Sequence, residues 1–275
     1  MIVKDFIELA HREGVSHAEN FPFWLEPETP AAACVVLVHG FSATPREMRP
    51  LGEALIEHGF AALGVRLPGH GTSPEDLSRR KHPEWIATVR TAINIAETEF
   101  ERVYAAGLST GSLALLTAAD HGQLAGQVLL APFLKLKHPM APFVWFLRHL
   151  LNYDTRTIEP ELEPFYYSRR PLKAIHELIR LTREVRHHLA EVRAPSLVIA
   201  SEGDATADHL SAIELFEKLG SKNKKMELFG EDVPHAMLGD DNPRRNEIIR
   251  MCVDFFQKLE NGNQDFPDNA PVSSL

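Results

Sequence analysis

From residue 33 onward the chain alternates short apolar runs with longer stretches of helical periodicity, and few folds accommodate that rhythm. Residues 33–38 (Ala-Cys-Val-Val-Leu-Val) are apolar without interruption. That is the pattern of a strand covered on both faces, since a strand with one wet face would alternate. Thr44-Pro45 then reads as an N-cap followed by proline in the first helical turn. Met48, Leu51, Ala54 and Leu55 give that helix its apolar face, and Gly59 ends it. Further strands are read at 60–65, 103–108, 127–130, 196–200 and 225–229, and helices at 85–100, 112–119, 210–219 and 246–259. Strands separated by helices of this length imply parallel pairing through crossovers. The predicted fold class is therefore α/β, a mostly parallel central sheet with helices on both faces.

The alternation stops over 132–190, which shows helical stretches at 143–151 and 172–189 but no convincing strand. Residues 1–131 and 191–260 are accordingly assigned to the α/β core and 132–190 to a helical cap insertion. The polar, proline-containing residues 261–275 are expected to be a disordered tail. Ligands in open α/β sheets bind beyond the carboxyl ends of the strands, so a cap there would roof the site.

Composition narrows the function classes. With 29 Lys+Arg against 38 Asp+Glu the formal charge is −9, which disfavours nucleic acid as the partner. Lys4, Asp5 and Glu8 interrupt the first apolar residues, so no secretory signal is read there, and no stretch approaches the roughly 20 apolar residues of a membrane span. A cytoplasmic location without stable membrane insertion is expected. Cys34 and Cys252 lie on apolar faces of a strand and a helix, and are expected to be buried thiols rather than a disulfide.

The strongest chemical signal is Gly107-Leu-Ser109-Thr-Gly111, set between a strand and a helix. A serine on such a sharp turn projects its hydroxyl above the sheet, and the flanking glycines avoid backbone collisions. A serine hydroxyl needs a base, and His235 follows the strand at 225–229 by a short loop. The base in turn needs a carboxylate to orient it. Asp204, just after the strand at 196–200, is placed ahead of Asp208, which reads as the N-cap of the next helix. Donors for a developing oxyanion are expected from the backbone N–H groups of Thr110 and Phe41. His39 is expected to order its loop by hydrogen bonding rather than to transfer protons.

These features resemble the α/β-hydrolase superfamily, with the chain order Ser109, Asp204, His235 that the family has. The likeness is nearer to the small bacterial carboxylesterases and monoacylglycerol lipases. It is carried by His39-Gly-Phe-Ser-Ala-Thr-Pro-Arg-Glu-Met-Arg-Pro-Leu51, Arg66-Leu-Pro-Gly-His-Gly-Thr-Ser-Pro-Glu-Asp-Leu77, the serine turn and Pro234-His235. One departure is Ala205-Thr-Ala207, where the family usually has apolar valines after the acid. The resemblance implies hydrolysis of a carboxylic ester with an apolar acyl chain, through an acyl-enzyme formed on Ser109. It implies a small, lipid-like ester as partner, no cofactor and no metal. A thioesterase or aminopeptidase could use the same triad, and a ligand-binding receptor could share the fold. Met140, Phe143, Val144, Trp145, Phe146, Leu147, Leu150 and Leu151 could line an acyl pocket or hold the cap to the sheet. Neither substrate identity nor oligomeric state leaves a mark in the sequence.

Overall fold

The computed structural model describes residues 3–119 and 123–262. In chain order the strands are β1 (Phe23–Leu25), β2 (Ala33–Val38), β3 (Ala61–Val65), β4 (Arg102–Leu108), β5 (Gly126–Leu130), β6 (Tyr153–Thr155), β7 (Arg169–Pro171), β8 (Ser196–Ser201) and β9 (Lys224–Phe229). The helices are α1 (Lys4–Arg12), α2 (Arg49–Glu57), α3 (Pro74–Leu77), α4 (His82–Glu99), α5 (Thr110–Ala118), α6 (Val144–Leu147), α7 (Leu172–His188), α8 (His209–Lys218) and α9 (Arg245–Glu260). A seven-stranded sheet runs β1-β3-β2-β4-β5-β8-β9, parallel except for β1, which pairs antiparallel with β3. The six sheet strands read from sequence are all present, each with bounds within one residue of those expected. β1 was not anticipated. It is three residues long at the sheet edge, and Phe23 lies across Gly64 of β3, where any Cβ would collide with the ring.

Because side chains alternate across a strand, the sheet divides the apolar interior in two. Cys34, Val36 and Val38 of β2 face one side with Trp85, Val89 and Ile93 of α4, Leu113 of α5 and Leu215 of α8. Ala33, Val35 and Leu37 face the other with Leu51 and Leu55 of α2 and Ile248 and Phe256 of α9. Each fully buried side chain of this size contributes about 1.5–3 kcal/mol, so these two layers supply the main drive to fold. Cys34 and Cys252 sit one in each layer as free buried thiols, and burial pushes both up to about 12. No helix among the described residues is long and apolar enough to cross a membrane.

The stretch 132–190 corrects two expectations. It contains a short antiparallel ladder, β6 with β7, where no strand was read. Apart from Pro171 its residues are polar, and cross-strand contacts hold it: Asp154 pairs with Arg170, and the Arg169 guanidinium lies 4.7 Å from the Tyr153 ring centre. The helix expected over 143–151 is also shorter, a 3-10 turn at Ala141–Phe143 leading into α6. By contrast α7 forms as expected, and its Ala174, Leu178, Leu181 and Val185 enter the same apolar layer as α4 and α5. Of the tail expected at 261–275, residues 263–275 lie outside the described residues.

Candidate active site

β4 delivers its chain into α5 through Ser109, whose backbone lies at φ 55° and ψ −114°. That conformation is costly for any residue but glycine, and the surroundings over-determine it. The Ser109 N–H donates to Leu130 O at 2.7 Å, a bond to the neighbouring β5. A Cβ on Gly107 would stand 2.5 Å from Gly111 C and Ser112 N, and one on Gly111 would strike the carbonyl of Val38. Gly107 is therefore required by the approach of β4 to the first turn of α5, and Gly111 by packing of that turn against β2.

The strand order then brings the other candidates to the same end of the sheet. β8 leads to Asp204 and β9 to His235. Their loops are tied together by Ser201, whose Oγ lies 2.6 Å from Val233 O and 2.9 Å from Gly230 O. Ser109 Oγ is 2.9 Å from His235 Nε2, and His235 Nδ1 is 2.5 Å from Asp204 Oδ2. The second oxygen, Asp204 Oδ1, accepts the N–H groups of Thr206 at 2.7 Å and Ala207 at 2.8 Å. Burial opposes ionisation of Asp204, but the hydrogen bond and charge of His235 and these two N–H groups outweigh it and hold the carboxyl below its usual range. Asp208, as expected, caps α8 by accepting the Leu210 N–H at 3.2 Å.

Thr110 is the first residue of α5, so its N–H has no partner within the helix. Phe41 lies in the loop after β2 and, like Ser109 and His235, lines a cavity of about 470 Å³. That loop is firmly set. The Gly40 N–H donates to Glu47 Oε2 at 2.7 Å, His39 Nδ1 lies 2.8 Å from Gly40 O, and the Leu67 N–H donates to His39 Nε2 at 3.1 Å. Burial, then the neighbouring His70, push His39 well below the usual imidazole range, so it stays neutral and orders the loop. Burial raises the Glu47 carboxyl, against the Gly40 N–H and the charges of His235 and Arg156, which favour its anion.

The apolar residues singled out near 140–151 divide. Met140, Val144, Leu147 and Leu151 line the cavity, whereas Phe143, Trp145, Phe146 and Leu150 do not; of the eight only Val144 is buried. The lining also carries a polar group, Tyr153, Asp154, Arg156 and Arg170. This polar group was missed from sequence. Arg156 reaches Ser42 Oγ at 3.3 Å and the Tyr166 hydroxyl donates to Glu47 Oε1 at 3.3 Å, contacts more than a hundred residues apart with no local pattern to announce them.

The sequence signature of the alpha/beta hydrolase family matches residues 35–245. The chain belongs to that family. Among curated proteins this α/β hydrolase is similar to a thermostable monoacylglycerol lipase of Bacillus sp. (strain H-257), 28% identical over 82% of this chain and 90% of the relative. It is also similar to a carboxylesterase of Bacillus subtilis (strain 168), 24% identical over 82% of this chain and 93% of the relative. Among solved structures, a monoacylglycerol lipase of Paleococcus ferrophilus superposes with a TM-score of 0.72 at 22% identity, covering 86% of this chain and 99% of that one. That likeness is one of fold.

Proposed function

We propose that this α/β hydrolase is a serine esterase that cleaves carboxylic esters with an apolar acyl chain, as the names of its lipase and carboxylesterase relatives suggest. The observation that carries the reading is the unbroken line of contacts Ser109 Oγ–His235 Nε2 and His235 Nδ1–Asp204 Oδ2, with Ser109 and His235 lining a cavity. Ser109 attacks the ester carbonyl as His235 Nε2 takes its proton. The N–H groups of Phe41 and Thr110 receive the charge that develops on the carbonyl oxygen, an effect worth about 2.7–4 kcal/mol per donor. His235 passes the proton to the departing alcohol, then draws one from a water that hydrolyses the acyl-enzyme. Asp204 stays ionised throughout, stabilising the imidazolium and fixing the tautomer. Residues 132–190 act as the cap, and Val144, Leu147, Leu172 and Ile175 supply an apolar wall for the acyl chain.

A panel of p-nitrophenyl esters of increasing chain length tests this. Turnover is expected to favour apolar acyl groups and to vanish in Ser109→Ala. Tight binding of esters without turnover by the wild-type protein would instead point to a receptor, and turnover of thioesters alone to a thioesterase.

A further inference from the structure

We propose that the alcohol portion of the substrate carries an anionic group, a carboxylate or a phosphate, and that Arg156 is the residue that selects it. The inference rests on the esterase reading and adds the chemical class of the leaving alcohol.

The cavity lining holds more positive charge than it neutralises. Lys137, Arg156 and Arg170 stand against the single carboxylate of Asp154, in a protein whose overall charge is −9. Asp154 is already taken by Arg170. Lys137 Nζ donates to the backbone oxygen of Asp204 at 2.6 Å. The direct contacts of Arg156 are neutral, Ser42 Oγ at 3.3 Å, Tyr167 O at 3.4 Å and the Tyr166 ring with its centre 5.9 Å away, while Glu47 and Asp154 act on it only at longer range. Among the described residues no carboxylate oxygen lies within 4.0 Å of its guanidinium. The nearest candidate, Glu47, already accepts from the Gly40 N–H and the Tyr166 hydroxyl. Arg170 contributes a second unmet need, since its buried Nε has no hydrogen-bond partner.

Arg156 is an exposed residue that lines the cavity. Partial burial of its guanidinium, and then the charge of Arg170, pull its pKa down, against the charges of Tyr166, Glu47 and Asp154. Its two side-chain hydrogen bonds are long and leave donors open to the cavity. An anion could bridge those donors, because the planar fork matches carboxylate and phosphate oxygens two at a time.

Position fixes which part of the ester is read. Ser42 follows Phe41, so the guanidinium lies beside the loop whose N–H faces the carbonyl oxygen in the proposed mechanism. With the apolar lining assigned to the acyl chain, the alcohol falls to Arg156 beside the Phe41–Ser42 loop.

The test compares para-hexanoyloxybenzoate with its methyl ester, two substrates with the same acyl chain whose alcohols differ in charge. In the wild-type protein the ratio of kcat/KM, charged over neutral, is expected to exceed that in Arg156→Gln by about ten- to a hundredfold. Arg156→Lys should recover part of the preference. Added salt should erode the wild-type ratio as it screens the charge, a measurement that needs no variant to fold. An equal loss of both activities in Arg156→Gln, with a ratio indifferent to salt, would overturn the proposal and assign Arg156 to holding the Ser42 loop. Should the wild-type protein cleave neither ester, the esterase reading fails on its own account. Calorimetric titration with para-hydroxybenzoate then decides the anion site: binding weakened at least tenfold in Arg156→Gln sustains it, and equal or absent binding removes it.

Discussion

Asp204 uses its two carboxylate oxygens for different purposes. One is clamped by the N–H groups of Thr206 and Ala207, so the side chain cannot rotate, and the other is thereby aimed at His235 Nδ1. Replacing Asp204 with Asn keeps the shape but offers an amide N–H that cannot accept the imidazole proton, so the wrong tautomer is favoured. Turnover is expected to fall by about three to four orders of magnitude in Asp204→Asn. Asp208→Asn should change turnover less than about twofold, since Asn caps a helix as well as Asp does. Steady-state kinetics on one ester would decide between them, and the reverse ranking would move the acid to Asp208.

Among the elements, α7 is bound to α4 through hydrogen-bonded polar groups as well as apolar ones. His82 Nδ1 lies 2.8 Å from Glu177 Oε2 and its Nε2 lies 2.9 Å from Glu184 Oε2, with His82 and Glu177 both buried. Burial works against the Glu177 anion, but the His82 hydrogen bond and the charges of Arg180 and Lys81 hold its pKa low. His82→Leu removes the buried partner and leaves the carboxylate to Lys81 and Arg180 at the surface. A loss of about 2–3 kcal/mol in chemical denaturation is expected. The apolar periodicity of α7 made it visible in sequence, as did the unbroken apolar runs of β2 and β4. β1, β6 and β7 stayed hidden because three residues are too few to show a period, and in β6 and β7 ion pairing replaces apolar burial. The meeting of Ser109, Asp204 and His235 at one end of the sheet was readable from strand ends and turn chemistry. Arg156 and Glu47 were not, because they acquire meaning only once β6 and β7 fold over the β2 loop.

For the molecule as a whole, buried imidazoles set the response to acid. Burial lowers His70 to about 3 and takes His39 well below the usual range, so both stay neutral in the native state. The unfolded chain binds those protons near pH 6.5, hence stability is complete above that value and declines as pH falls below it. Glu47 acts in the opposite sense, because its raised carboxyl holds a proton longer in the native state than in the unfolded one. Two imidazoles against one carboxyl leave a net loss. The unfolding free energy should be about 1–3 kcal/mol smaller at about pH 5 than at about pH 6.5, and His70→Asn should flatten that slope. Urea titrations at the two pH values would measure both. A stability that rises toward acid would show that Glu47 dominates.

The two strands that bracket residues 132–190, β5 and β8, are hydrogen-bonded neighbours, with Gln127 opposite Ser196 and Leu130 opposite Ile199. The polypeptide thus departs from the ladder and rejoins it one strand away, and on the way it is moored again at the Ser42 loop, where the Tyr167 N–H donates to Ser42 O and Tyr166 reaches Glu47. Insertions between Leu136 and Pro171 that keep those moorings would leave the register of every sheet strand as it is.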